Sequence, residues 1–153
     1  MAIIEGTNTA DILNGTDGDD EISTGPGNDL ARGLTGNDEI WGYTGNDTLS
    51  GGPGVDTIYG YTGDDQLSGG DNNDYLFPGE GSDHINGGDG DDYVQYSNQD
   101  VSITANLDTQ LVTSASFQDT LTSIERIADA KGDDLLIGSS GNDIFSLRRG
   151  GRQ

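Results

Sequence analysis

Asp11, Asp20, Asp29, Asp38, Asp47, Asp56, Asp65, Asp74, Asp83 and Asp92 stand nine residues apart, ten in a row without a slip. In a chain of net charge -22, with 28 acidic residues of which 23 are Asp, carboxylates in so strict a phase suit a hard cation that takes oxygen ligands. They do not read as catalytic groups. The chain has no Cys, and its one histidine, His84, lies within a repeat on a polar outer face, where it reads as a solvated residue. No nucleophile–base pairing stands out.

The residues around each Asp say how the carboxylates are positioned. Two residues after it comes Leu13, Ile22, Ala31, Ile40, Leu49, Ile58, Leu67, Leu76, Ile85 or Val94. Two residues before it, eight of ten repeats carry Gly: Gly18, Gly27, Gly36, Gly45, Gly54, Gly63, Gly81 and Gly90, with Thr9 and Asn72 departing. Five residues before, eight again carry Gly, with Thr24 and Pro78 departing. The unit is Gly-x-x-Gly-x-Asp-x-aliphatic-x over residues 6–95. Its x-aliphatic-x stretch predicts a very short strand with the middle side chain inward, and the Gly-rich six residues predict the turn. Two such units make one coil, so residues 18 apart stack.

Stacked coils lie about 4.8 Å apart, which lines up two columns of like charges that oppose folding. Divalent cations with six to eight oxygen ligands reverse that repulsion, and Ca²⁺ suits such a cage better than Mg²⁺, which demands strict octahedral geometry and keeps waters. Ten inward aliphatics at about 1.5–3 kcal/mol each do not offset the entropy of ordering residues 6–95. The expectation is a chain largely disordered without metal that folds on binding it. Hydrophobic content of 30% and the high net charge would otherwise signal plain disorder.

The unit resembles the RTX nonapeptide, an established Ca²⁺-binding parallel β-helix signature; GGPGVDTIY at 51–59 and GGDGDDYVQ at 87–95 match it most fully. The resemblance implies an all-β fold, a right-handed parallel β-roll of nine-residue half-turns closed by a C-terminal capping segment. It also implies that each ion lies between turns of adjacent coils, held by motif Asp oxygens and turn carbonyls. Carried onto this chain, the paired turns run from Asp11/Asp29 and Asp20/Asp38 through Asp74/Asp92, up to eight ions, which would take the charge from -22 to -6. Thr9 and Asn72 weaken the match at Asp11 and Asp74.

Residues flanking each inward aliphatic are expected to point outward. One face then carries Trp41, Tyr59 and Phe77 as an 18-spaced ladder, with Tyr75 and Tyr93 beside it and Tyr43 and Tyr61 near the turns. These rings either stack on one another or lie under the C-terminal segment, or they form a strip for glycan, a protein partner or self-association.

The phase is lost after Val94. Alternation from Val101 to Leu107 predicts a longer strand. SFQDTLTSIERIADAKGDDLLIGSSGNDIF at 116–145 resembles a segment that follows or interrupts RTX arrays, with phase renewed at Asp134 and Asp143 behind Gly132 and Gly141 and with Leu136 and Phe145 in the inward slot. Residues 96–146 read as capping coils, although LTSIERI at 121–127 also has the spacing of a helical turn. The tail 147–153 holds half of the six basic residues and does not match the acidic–hydrophobic export signal of RTX proteins; no N-terminal signal peptide is recognised.

The chain lacks a run of about 18 apolar residues, so no membrane span is expected. Its charge repels phosphate backbones, so no nucleic-acid partner is expected. The reading is a non-enzymatic Ca²⁺-binding module, extracellular or on the cell surface, with a calcium-stabilised adhesion or self-assembly protein as the alternative.

Overall fold

The computed structural model describes residues 1–96, 101–128, 130–131, 133–139 and 143–146. Among these residues the secondary structure is strand and turn, with no helix. Among the described residues no helix is long and apolar enough to cross a membrane. Gly132 and Gly141, which mark the renewed phase, and the basic tail 147–153 lie outside the described residues.

Successive strands alternate between two sheets. The first runs β1 (Ile3–Glu5), β3 (Glu21–Ser23), β5 (Glu39–Trp41), β7 (Thr57–Thr62), β9 (Tyr75–Glu80), β11 (Tyr93–Gln95), β15 (Arg126–Ala128) and β17 (Ile144–Ser146). The second runs β2 (Ile12–Asn14), β4 (Leu30–Arg32), β6 (Thr48–Pro53), β8 (Gln66–Asp71) and β10 (His84–Asp89), then β14 (Gln118–Thr122), β13 (Leu111–Thr113), β12 (Thr104–Asn106) and β16 (Leu135–Ile137). Through β11 every neighbour is parallel and offset by 18 residues: Ile22 lies beside Ile40, Ile40 beside Ile58, Leu49 beside Leu67. This is the parallel β-solenoid that the nine-residue period predicts.

The period-two pattern of each strand puts one side chain inside and two outside. Ile22, Ala31, Ile40, Leu49, Ile58, Leu67, Leu76, Ile85 and Val94 are buried and form one continuous core. Ile4 and Leu13 are only partly buried, because they belong to the first coil and have a neighbour on one side alone. The middle strands β6 to β10 are six residues long rather than three. Pairing there runs on into the turn, as where Gly52 meets Gly70 and Gly88 meets Gly70, since residues without Cβ let the backbones keep their spacing.

The second sheet changes after β10. Strand β14 stacks on β10 in parallel, but β13 and β12 then enter antiparallel before β16 resumes the parallel order. In the first sheet β15 pairs directly with both β11 and β17. Two strands are thus spliced into one wall and none into the other, and a crevice of about 320 Å³ lined by Leu107, Gln110, Ser123, Ile124, Glu125 and Ser139 lies where the coils splay. Residues 103, 105 and 107 alternate inward as expected, although strand pairing covers only Thr104–Asn106. The helical turn over 121–127 does not form. Leu121 and Ile127 are each taken by a strand and Ile124 by the turn between them, and all three are buried.

Truncating the central Ile58 to Ala should cost about 2–5 kcal/mol, while Leu13→Ala in the half-open first coil should cost clearly less. Urea unfolding of both variants with calcium present checks this; equal losses would contradict a core that is continuous only away from its ends.

Candidate functional site

Each motif Asp sits at the end of a turn, just before its strand, and from Asp20 to Asp92 these residues are at most 3% exposed. One oxygen of each has a fixed task. The Asp11 N–H donates to Asp29 Oδ1, Asp20 to Asp38, Asp29 to Asp47, and so on through Asp74 to Asp92, each at 2.8 Å. These bonds hold the two columns in register along the roll.

The other oxygen is different. Oδ2 of Asp29, Asp38, Asp47, Asp56, Asp65, Asp74, Asp83 and Asp92 is buried and receives no hydrogen bond from the protein. Leaving a buried charged acceptor unsatisfied costs more than about 1–3 kcal/mol each, so eight in two columns need a partner. The surroundings are acceptors, not donors. A Cβ built on Gly33 would lie 2.1 Å from Asp38 Oδ2 and 2.8 Å from the Gly51 carbonyl oxygen of the next coil. On Gly69 it would lie 2.1 Å from Asp74 Oδ2 and 2.7 Å from the Gly87 oxygen. A carboxylate and a carbonyl therefore converge on a space kept open by glycine. A buried set of anionic and carbonyl oxygens without donors fits a hard cation such as Ca²⁺. Among the described residues no three His, Asp or Glu side chains form a cluster, so such an ion would draw on backbone oxygens.

The two turns that depart from glycine differ locally. Thr24 stands at the cradle of Asp29, where its hydroxyl donates to the Gly42 carbonyl at 2.7 Å. Pro78 stands at the corresponding position before Asp83, and its own carbonyl faces Gly60 and Asp65 Oδ2.

At the first coil the carboxylates are closed by the protein itself. Asp11 Oδ2 accepts the Thr7 N–H and hydroxyl, and Asp20 Oδ2 accepts those of Thr16. Asp143 at the other end is closed in the same way by Ser139. From the third repeat to the tenth, the position four residues before Asp instead has positive φ, at Gly25, Leu34, Tyr43, Gly52, Tyr61, Gly70, Gly79 and Gly88. The open carboxylates thus begin at Asp29, one coil later than the Asp11/Asp29 pairing, and extend one coil further.

That extension uses residues the sequence reading passed over. The Asp83 N–H donates to Asp119 Oδ1 and the Asp92 N–H to Glu125 Oε2, both at 2.9 Å, so each column continues across the break in phase. Asp119 Oδ2 is closed by the hydroxyl of buried Tyr96 at 2.8 Å, and Tyr96 stacks on Phe117. Asp134 bonds the Ile103 N–H through Oδ1 and leaves a buried Oδ2 without a partner. Both Asp119 and Glu125 precede a buried aliphatic by two residues, the same local signal as in the repeats.

A second ladder was also passed over. Asp19, Asn28, Asn37, Asn46, Asp64 and Asn73, each just before a motif Asp, accept the backbone N–H 18 residues later at 2.8–3.2 Å. It runs opposite to the buried ladder and lies on the exposed turn edge.

The aromatic ladder is a stack. Trp41 lies over Tyr59 with centroids 6.1 Å apart, Tyr59 over Phe77 at 4.6 Å, and Tyr43 over Tyr61 at 5.4 Å. Tyr75 meets Tyr93 edge to face at 6.0 Å. Stacking spends the ring faces on neighbouring coils, and faces are what a sugar ring would need.

The profile for the RTX calcium-binding nonapeptide repeat, four copies long, matches residues 5–40, 23–58, 41–76, 50–84, 69–100 and 119–151. These matches cover most of the chain, and the protein belongs to that repeat family, a structural calcium-binding module whose members are typically secreted. No curated protein matches the chain.

Burial, followed by the neighbouring carboxylates, pushes Asp65, Asp74 and Asp83 up to about 7 and Asp47 and Asp56 up to about 6, against the usual 3.8 of aspartate. Without metal the folded roll therefore holds protons more tightly than the unfolded chain. That contribution is complete below about pH 4 and is lost as pH rises through 6 to 7. In chelator, acidification from about pH 7.5 to 5 should increase the β signal in circular dichroism. A flat or falling signal would contradict the buried carboxylate columns.

Proposed function

We propose that this chain is a non-catalytic module that folds by binding several calcium ions between its coils. The single observation that carries the reading is the row of eight buried Oδ2 atoms, from Asp29 to Asp92, that receive no protein donor, with those of Asp38, Asp47, Asp65, Asp74 and Asp92 beside a turn carbonyl. Asp29, Asp38, Asp47, Asp56, Asp65, Asp74, Asp83 and Asp92 act as the charged ligands, each completed by turn carbonyls of its own and the next coil. Asp11 and Asp20 are the first rungs of the columns, and their carboxylates are held by Thr7 and Thr16. The bound metal supplies the positive charge that lets the columns ionise at neutral pH, and the protein orients the oxygens and excludes water.

Function follows from when this happens. At low calcium the carboxylates repel and the chain stays open; at millimolar extracellular calcium the coils close. The module is therefore a calcium-triggered stiffener placed outside the cell. Glycan or protein partners through Trp41, Tyr59, Phe77, Tyr75 and Tyr93 form a weaker reading, because the rings of the ladder are packed against each other.

Titration of the metal-free protein with calcium at neutral pH should convert a disordered circular dichroism spectrum into a β spectrum, and native mass spectrometry should then count about eight ions. A complete β signal in chelator at that pH would overturn the folding step. Two bound ions or fewer would overturn the site assignment.

A further inference from the structure

The array breaks between the matched blocks 69–100 and 119–151, and the last open carboxylate of the nine-residue repeats stands just before that break. Asp92 is 0% exposed. Its Oδ1 holds the Asp74 N–H at 2.8 Å, and its Oδ2 receives no hydrogen bond. In the repeats, the carbonyl facing such an oxygen comes from the turn residue 18 positions after the cradle glycine, as Gly51 after Gly33, Pro78 after Gly60 and Gly87 after Gly69. Here no such turn follows. Strand β14 stacks on β10, with Ile85 beside Leu121 and Asn86 beside Thr122, and this brings Ser123 next to Gly87. A Cβ on Gly87 would lie 2.3 Å from Asp92 Oδ2 and 2.1 Å from the Ser123 carbonyl oxygen. Ser123 reaches this place with a φ of 51°, in a turn of only three residues, Ser123–Glu125, between β14 and β15.

We propose that Asp92 Oδ2 and the Ser123 carbonyl hold a calcium ion across the break, so that the segment 118–128 is fastened to the repeat array through metal. This rests on the calcium reading above, but the site lies outside the nonapeptide pattern, since one side of it comes from a turn with no glycine. The opposite edge of the same joint, beside the open Asp83 Oδ2, is fastened directly as well. There the Tyr96 hydroxyl closes Asp119 Oδ2, and Asp119 Oδ1 takes the Asp83 N–H. The joint therefore has direct bonds at both edges, with the Asp92 N–H to Glu125 Oε2 bond and the Arg126–Asp91 ion pair on the near one, and calcium adds a metal fastening at the Asp92 edge.

Hydrogen–deuterium exchange on the full chain, with and without calcium, tests this. Asp92→Asn keeps an amide oxygen for the Asp74 N–H and removes the charged ligand; Gly87→Ala fills the cradle. Both variants should bind one ion fewer in native mass spectrometry and lose the calcium-dependent protection of 118–128, while residues 30–80 keep theirs. Asp47→Asn, inside the array, should also bind one ion fewer but leave the calcium response of 118–128 intact. A wild-type response at 118–128 in Asp92→Asn would overturn the proposal. So would its equal loss in Asp47→Asn, or loss of protection throughout the array in both joint variants. Absence of any calcium-dependent protection over 30–80 in the wild-type chain would overturn the calcium reading itself.

Discussion

The structure depends on a divided carboxylate. From Asp29 to Asp92 each motif Asp gives one oxygen to the backbone N–H of the coil before it and keeps the other clear of every protein donor. The first oxygen sets the axial register and the second sets the charge problem. These two roles cannot be separated by distance, because they sit on one side chain. Closing the coils therefore necessarily brings the bare oxygens into two buried columns, and the protein has few ways to relieve them: a proton, a hydroxyl or a metal ion. It uses hydroxyls at its ends, from Thr7, Thr16 and Ser139, and leaves the interior oxygens of Asp29 to Asp92 without a protein donor.

The backbone accounts for that division. A threonine or serine four residues before the Asp folds its own N–H and hydroxyl back onto the carboxylate. In the interior that position is held at positive φ, even at Leu34, Tyr43 and Tyr61, where the conformation is costly for an L-residue. Those three residues tolerate it because coils above and below fix the turn. A positive-φ turn residue and an open carboxylate thus occur together in the same repeats.

Much of this was legible in the residues. The nine-residue phase located the Asp column, the inward aliphatics from Ile22 to Val94, and the turn glycines, because each of these depends on one residue type at one position in a repeating backbone. The Asx ladder on the turn edge was equally regular, with Asn or Asp before seven of the ten motif aspartates, but its role depends on a hydrogen bond between coils that spacing alone does not reveal. The joint at Asp119 and Glu125 was hidden for a different reason. Its residues keep the local rule of an acid two places before a buried aliphatic, but the residues inserted between Val94 and Asp119, which include β12 and β13, shift them out of phase, and which turn they join is decided only in space. The antiparallel pair β12 and β13 was hidden as well, since alternation in 101–107 indicates a strand without saying which neighbour it takes.

The 18-residue offset between stacked partners has a bearing on how such chains can change in length. Loss or duplication of a whole coil leaves every inward aliphatic inward and every carboxylate in its own column, so recombination in steps of eighteen residues is structurally silent in the interior. A step of nine is not. It keeps the turns intact but transposes the two outer walls beyond the lesion, setting the aromatic column of Tyr59 and Phe77 over the wall that carries Arg32 and Ser50 and bringing the joint-forming β14 and β15 against the wrong edges. The unit of sequence is nine residues, but the unit of inheritance for this architecture is the full coil.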